Sequence, residues 1–369
     1  MKKEKTYRII ISGGGTGGHI YPALAIAQAL HEKYESIRIL FVGASGKMEM
    51  QKVPEAGYPI KGIWISGIDR KLSFRNLLFP FKLTVSLFQA FRIIRLFKPD
   101  LAIGMGGFAS GPLLWIASKR RVPTLIQEQN SYPGITNKLL AGQVNRICVA
   151  YEGMDKYFPS DKIVVTGNPV RKDIGDIARR ITKGFDFFGF EENRRTLFVM
   201  GGSLGARTVN NAVFQHLPAI INEKIQLIWQ IGRIYYENFM EKLKGYDLSN
   251  IRTFEFLKEI DLAYAVSDVV VARAGALSIA ELCIAGKPVL FVPSPNVAED
   301  HQTKNAMALV KKEAALVVTD TEAVEKMIPE AIGLLNDTQK RETLGKNIRK
   351  FAIPDATERI ISEIETLLR

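Results

Sequence analysis

The chain has 369 residues, 47% hydrophobic and 24% charged, which excludes a disordered polymer and exceeds what one core usually serves, so two folded domains are expected. A net charge of +12 and a pI near 9.5 call for an anionic partner: nucleic acid, a membrane surface or a phosphorylated substrate. The two cysteines, Cys148 and Cys283, lie in apolar runs without CxxC or metal-ligand spacing, which excludes a disulfide framework and predicts buried thiols in a reducing compartment.

After the basic start Met1-Lys2-Lys3-Glu4-Lys5 the only apolar run before a glycine cluster is Ile9–Ile11. That is too short for the core of a signal peptide, so export is not expected. Short apolar runs then alternate with helical patterns. Strands are predicted at 7–12, 37–42, 100–104, 123–127 and 145–150, and helices at 19–34, 76–97, 111–120 and 134–141. The stretch 166–195 carries Gly167, Pro169, Gly184 and Gly189 without clear periodicity and is read as the boundary between halves. Beyond it, strands are predicted at 196–200, 225–230, 251–255, 268–272, 288–292 and 315–318. Helices are predicted at 206–219, 234–244, 276–285, 301–311, 322–335 and 338–351, with a last helix at 355–368 after Pro354. Such alternation implies an α/β protein with parallel sheets covered by helices, whose ligands bind beyond the carboxyl ends of the strands.

The first strand runs into Gly13-Gly14-Gly15-Thr16-Gly17-Gly18-His19, and a helical pattern follows at once. Glycines let backbone N–H groups approach a ligand, and a helix start carries partial positive charge, so strand, glycine turn and helix make an anion site. Gly201-Gly202-Ser203-Leu204-Gly205-Ala206 repeats the design after 196–200, which suggests two similar halves. Gly13-x-Gly15-x-x-Gly18 matches the dinucleotide fingerprint, but the next strand ends Phe41-Val42-Gly43-Ala44-Ser45 with no acid until Glu49. The acid that would hold a ribose is missing, which argues against NAD, and His19 stands where a P-loop needs lysine. His19, at a helix start, suits a general base or a hydrogen bond to phosphate or sugar; a helix-start histidine without chemistry is the bland alternative. His31 and His216 are read as surface residues, and His301 lacks metal-site spacing.

Between 61 and 99 the chain carries Lys61, Arg70, Lys71, Arg75, Lys82, Arg92, Arg95 and Lys98 against the single acid Asp69. The longest charge-free stretch, Leu83 to Phe91, is far short of the roughly 18 apolar residues that span a bilayer. Phe74, Leu77, Leu78, Phe79 and Phe81 crowd around Pro80 beside Lys82. Apolar and basic residues mixed at this density suit an element lying in a membrane interface, with 72–82 as the exposed patch and 83–97 partly occupied in covering a sheet. Nucleic acid is the weaker reading, because the aromatics are phenylalanines packed among leucines and no nucleic-acid motif appears.

In the second half, Arg273-Ala274-Gly275-Ala276-Leu277-Ser278-Ile279-Ala280-Glu281 follows the strand at 268–272. Backbone N–H groups of Ala276, Leu277 and Ser278 suit a diphosphate, and Glu281 one turn later suits a ribose diol. A capping box with Ser278 at the N-cap and Glu281 at N3 fits the same residues.

Seven motifs stand in one order along the chain: Gly14-Gly15-Thr16-Gly17-Gly18-His19-Ile20-Tyr21-Pro22-Ala23, Gly104-Met105-Gly106-Gly107-Phe108-Ala109-Ser110-Gly111-Pro112, Gln127-Glu128-Gln129-Asn130, Gly167-Asn168-Pro169-Val170-Arg171, Gly201-Gly202-Ser203-Leu204-Gly205-Ala206, Arg273-Ala274-Gly275-Ala276-Leu277-Ser278 and His301-Gln302. In this the sequence resembles the MurG family over essentially its whole length. The resemblance implies a GT-B fold, two Rossmann-like domains with parallel sheets facing a cleft. It implies an acceptor-binding, membrane-docking domain at 1–167, with helix 353–369 packing back on it, and a donor-binding domain at 168–352. The implied reaction moves N-acetylglucosamine from UDP-N-acetylglucosamine to the C4 hydroxyl of the undecaprenyl-linked muramyl-pentapeptide, lipid I, with inversion and no cofactor. Carried over by motif, Thr16, Gly17 and Gly18 lie near the donor's sugar and phosphates, and Asn130 contacts the N-acetylglucosamine. Arg171 and Ser203 meet the diphosphate, the main chain of Ile260 reads the uracil, Glu281 takes the ribose hydroxyls and Gln302 the transferred sugar. The implied setting is peripheral, on the cytoplasmic face of the inner membrane, with an anionic lipid surface and other cell-wall synthesis proteins as partners and no nucleic acid.

Phe108 stands where the family often has tyrosine, Ala274 where it often has serine, Thr303 where a second glutamine is frequent, and Pro133 where alanine is common. No Asp-x-Asp metal motif is present, so the leaving diphosphate is expected to be met by helix N-termini, backbone N–H groups and Arg171. His19 is the first candidate for the base and Glu128 the second. The rival readings are another membrane-associated GT-B enzyme acting on a lipid such as diacylglycerol, a non-catalytic nucleotide-sugar-binding scaffold, and an NAD oxidoreductase.

Overall fold

The computed structural model describes residues 6–67, 78–202, 204–297 and 300–369. Two compact units divide the chain. One runs through Val170 and includes Asp355–Arg369; the other is Arg171–Pro354.

The first unit is a parallel sheet of seven strands: β1 (Tyr7–Ser12), β2 (Ile37–Ala44), β3 (Ile60–Ile63), β4 (Leu101–Gly104), β5 (Thr124–Glu128), β6 (Arg146–Val149) and β7 (Ile163–Val165), in the order β3-β2-β1-β4-β5-β6-β7. The chain turns back between β1 and β4, which pair directly with Ser12 opposite Gly104. That is the topological switch point where such sheets bind ligands. Ile9 and Ile11 point to one face, packed on Ile20, Ala23, Ile26 and Ala27 of the helix Gly17–Lys33 and on Ile360, Ile361 and Ile364 of the last helix, Ala356–Leu368. Ile10 points to the other, with Ala90, Ile94, Leu113 and Leu114. These strands are buried on both faces, so they read as continuous apolar runs.

The second unit repeats the plan with β8 (Thr196–Met200), β9 (Gln226–Gln230), β10 (Ile251–Phe254), β11 (Val269–Ala272), β12 (Val289–Phe291) and β13 (Leu316–Val317), in the order β10-β9-β8-β11-β12-β13. Its switch point lies between β8 and β11. Both glycine loops therefore leave a strand beside a switch point. This is the α/β architecture of parallel sheets read from the alternation, in the two Rossmann-like units that the resemblance implies.

Several elements differ from the reading above. Strands β3 and β7 and the helices Glu49–Glu55, Ile181–Phe188 and Ile260–Val266 were not anticipated. The helix expected over 206–219 is two, Arg207–Gln215 and Leu217–Asn222, because Pro218 has no N–H to continue the ladder. The stretch 166–195 is more regular than its composition suggests: a 3₁₀ segment Lys172–Arg180 leads into Ile181–Phe188, and Arg180 anchors it through a 2.7 Å ion pair with Asp261. His216 is half-buried, with Nε2 3.1 Å from the Val324 carbonyl, so it is no free surface residue. Cys148 and Cys283 are buried, and burial pushes both thiols up to about 12.

Helix Phe79–Phe97 begins with Pro80 in its first turn, where the missing N–H costs nothing. Ser86, Ala90 and Ile94 form its buried face. Phe79 packs against the first unit's core, whereas Leu78, Phe81, Phe88 and Leu96 are exposed. Lys82 donates to Ser66 at 2.9 Å and lies over the ring of Trp64, which meets Phe81 edge-on. Phe74 and Leu77, also read as membrane-facing, lie outside the described residues, as does the predicted helix start at 76–77.

Candidate active site

In the first unit the loop after β1 folds onto itself. Gly15 takes φ +85°, a conformation open to glycine, and Thr16 forms the N-cap of Gly17–Lys33 with its carbonyl accepting from His19 N–H at 3.2 Å. His19 Nδ1 lies 2.8 Å from the Gly14 carbonyl oxygen, and the Thr16 hydroxyl stands 3.5 Å from the same nitrogen. A carbonyl can only accept, so the short contact puts the hydrogen on Nδ1 and leaves Nε2 with its lone pair. The turn after β4 is shaped to this ring: a Cβ at Gly106 would sit 3.0 Å from His19 Nε2, and one at Gly107 would sit 2.5 Å from the Gly14 oxygen.

Glu49 changes the reading of this loop as a phosphate cradle. Its wholly buried carboxylate accepts from Gly15 N–H and from Ala44 N–H, each at 2.9 Å. A loop N–H already given to a carboxylate is not offered to a phosphate, and the negative charge beneath it disfavours a second anion. Glycine is required at Gly14 and Gly43 because a Cβ at either would run into Glu49.

Glu128, at the carboxyl end of β5, is buried with both oxygens occupied. Oε1 accepts from the backbone and side-chain N–H of Asn130 at 3.0 and 3.1 Å, and Oε2 from Gly134 N–H at 3.1 Å and Asn137 Nδ2 at 2.8 Å. This carboxylate orients Asn130 and the turn after it. Around it Gln127 donates to Asn168, Asn168 to the Gln129 carbonyl, and Gln129 to the Met105 carbonyl. Each of these side chains is tied to at least one other group, which makes the segment rigid, although Asn137 Oδ1 is buried without a hydrogen bond.

In the second unit Glu281 is 14% exposed, on the helix Ala276–Ala285. Tyr264 donates its hydroxyl to Glu281 Oε2 at 3.2 Å, and Arg171 NH2 stands 3.6 Å from Oε1 while NH1 donates to the Lys258 carbonyl at 3.2 Å. Burial pushes the Glu281 carboxyl above its usual range, with Arg171 and Tyr264 acting against the rise. The Tyr264 hydroxyl is pushed well above its ordinary value, by burial first and by Glu281 second. The helix starts at Ala276 with Gly275 as its N-cap, so Ser278 is the third helical residue and the capping-box reading fails. The turn Ala276-Leu277-Ser278 carries the positive end of the helix dipole. Ile260 opens the helix Ile260–Val266. Gln302 accepts from Ser294 N–H at 2.9 Å, which ties it to the segment after β12 and leaves its NH2 as the donor. Arg273 is held by Asp320 at 2.6 Å and by the Val292 and Pro293 carbonyls. Ser203 lies outside the described residues, and no group of three potential metal ligands occurs among those described.

Glu49, Asn137 and Tyr264 were not singled out from sequence as site residues. Glu49 was weighed only as an acid too late for a ribose, and its use is a contact with a loop 34 residues earlier.

Residues 9–149 match the glycosyltransferase family 28 N-terminal domain and residues 196–360 its C-terminal domain. A relative from Cytophaga hutchinsonii named UDP-N-acetylglucosamine--N-acetylmuramyl-(pentapeptide) pyrophosphoryl-undecaprenol N-acetylglucosamine transferase is 56% identical over 99% of this chain and 98% of its own. One of the same name from Christiangramia forsetii is 50% identical over 98% of each. Among solved structures, MurG of Acinetobacter baumannii superposes with a TM-score of 0.77 at 28% identity, covering 98% of this chain and 99% of that one. With two switch-point sheets, a histidine-bearing glycine loop on one and a partly buried glutamate behind a helix N-terminus on the other, the chain belongs to the MurG family of glycosyltransferases, within glycosyltransferase family 28.

Proposed function

We propose that this protein transfers N-acetylglucosamine from UDP-N-acetylglucosamine to the C4 hydroxyl of lipid I, forming lipid II with inversion. The observation that carries the reading is the His19 ring, whose Nδ1 is committed to the Gly14 carbonyl and whose Nε2 is left to take a proton. Nε2 removes the hydrogen of the C4 hydroxyl as its oxygen bonds to the anomeric carbon, and UDP departs with the electron pair of the broken C–O bond. That departure places negative charge on the diphosphate. Arg171 and the N-terminal turn Ala276-Leu277-Ser278 supply donors and positive potential there, together with Ser203, and Thr16, Gly17 and Gly18 take the sugar side.

Glu281 accepts the two ribose hydroxyls, Ile260 main chain meets the uracil, and Gln302 and Asn130 meet the sugar. Glu128 serves by holding Asn130, since its four hydrogen bonds leave it no role as the base. The first unit takes the lipid-linked acceptor and the second the donor. Leu78, Phe81, Phe88 and Leu96 are exposed among Arg92, Arg95 and Lys98, which supports docking of this unit on an anionic membrane surface. No helix among the described residues is long and apolar enough to cross a membrane.

Purified protein given radiolabelled UDP-N-acetylglucosamine should move label into the lipid fraction when lipid I is supplied and not when diacylglycerol is. Label on diacylglycerol instead would favour the rival lipid glycosyltransferase.

A further inference from the structure

Glu49 is a fully buried carboxylate that no step of the transfer uses. Its Oε2 accepts the N–H of Gly15 at 2.9 Å, and the carbonyl of Gly14 accepts His19 Nδ1–H at 2.8 Å. The Gly14 carbonyl and the Gly15 N–H are the two ends of one amide. A single peptide unit therefore stands between carboxylate and imidazole, hydrogen-bonded to each. We propose that Glu49 is a positioning residue for the base: acting through the Gly14–Gly15 peptide, it fixes the His19 tautomer that leaves Nε2 able to take a proton. The inference rests on His19 being that base.

The physics is that of a hydrogen-bonded chain. A carboxylate pulling on the N–H polarises the amide, and its carbonyl becomes a stronger acceptor for Nδ1–H. In hydrolase triads a carboxylate touches the histidine directly and holds its tautomer; here the peptide passes the effect on. The surroundings keep the peptide in one orientation. Glu49 Oε1 is fastened to Ala44 N–H, and Gly107 lies so close to Gly14 that a Cβ there would touch both its oxygen and its nitrogen. The Gly106-Gly107 turn against the ring carries no charge, and Thr16, the other group near Nδ1, is neutral. The requirement for glycine at Gly14, Gly43 and Gly107 follows from the same packing.

The test uses the full chain and the four histidines it contains. In ¹⁵N spectra of the wild type at alkaline pH, the His19 signal, identified by its loss in His19→Gln, should report Nδ1–H. An Nε2–H tautomer there overturns the proposal, whatever any variant does. Glu49→Gln leaves one acceptor oxygen for two N–H groups. It should lower kcat by about tenfold or more, as loss of a partner orienting a histidine does, with KM for UDP-N-acetylglucosamine within about twofold. The His19 signal should move toward Nε2–H. Unchanged kcat and tautomer in a folded Glu49→Gln overturn the proposal, as does a KM rise with kcat kept. If His19→Ala keeps its kcat while Glu49→Gln still shifts the tautomer, the reading of His19 as base has failed and the peptide link stands.

Discussion

The hydroxyl of Tyr264, a fully buried side chain of the second unit, donates over 3.2 Å to Oε2 of Glu281, which keeps a small exposed face. The bond leaves Oε1, with Arg171 at 3.6 Å, as the freer oxygen of the carboxylate assigned to the ribose. Tyr264→Phe removes only the hydroxyl. UDP affinity should fall by about two- to tenfold, roughly the net worth of one ordinary hydrogen bond, while kcat at saturating donor stays near wild type. Isothermal titration with UDP and the KM-against-kcat split check this.

The same carboxylate predicts a pH dependence. Ribose hydroxyls donate to it, so the ionised form binds. Burial raises its pKa above the usual range, so UDP affinity should start to weaken, on acidification, at a higher pH than an exposed glutamate would give. Tyr264 and Arg171 lower that pKa; their loss should move the onset to still higher pH. Titrations of UDP binding across the acid range would show it, and a profile that shifts downward in Tyr264→Phe would contradict the assignment.

His19→Ala should reduce kcat by about 10²-fold or more if Nε2 takes the acceptor proton, the lower end of general-base effects. Gly106→Ala tests the same ring from outside. Its Cβ would sit 3.0 Å from Nε2 in a backbone held at φ +90°. The variant should lose stability by about 1–2 kcal/mol from the left-handed conformation, and kcat should fall beyond what that loss explains. Thermal melts and kinetics on one preparation separate the two.

Leu78, Phe81 and Phe88 changed together to serine should weaken binding to anionic liposomes and spare turnover of a soluble acceptor analogue. Phe79→Ser should behave otherwise. Its ring packs against the core, so the change should cost about 1–3 kcal/mol of stability, below the range for a fully buried ring, with little effect on liposome affinity. Flotation with vesicles and denaturant melts decide between them.

Much of this architecture is legible because apolar runs of three or four residues switch to a helical period at a glycine, as at Ser12 to Ile20 and at Met200 to Val209. The elements that escape notice lack that contrast. Strand β3 is Ile60-Lys61-Gly62-Ile63, with a glycine inside, and β7 has three residues at the sheet edge. Helix Ile260–Val266 is buried from Asp261 through Val266 and shows no polar face to mark a period. Gly275, rather than Ser278, caps the donor-site helix, and a glycine N-cap carries no side-chain signal. Local pattern singles out His19, in the first turn of Gly17–Lys33, and Glu281, within Ala276–Ala285, and the family motif adds Arg171. What it cannot reach are the partners that fix the candidate groups: Glu49 under the glycine loop, Tyr264 behind Glu281 and, nine positions on, Asn137 on Glu128. The first two are contacts between elements separated in sequence and set side by side only when the sheet is assembled.

The most direct measurement is the structure of the product. With UDP-N-acetylglucosamine and a soluble lipid I analogue, proton and carbon NMR of the isolated disaccharide should show a β-anomeric N-acetylglucosamine bonded to O4 of the muramyl sugar, formed by the wild type and nearly abolished in His19→Ala. An α-linkage, attachment at another oxygen, or release of free N-acetylglucosamine with no disaccharide would contradict the account.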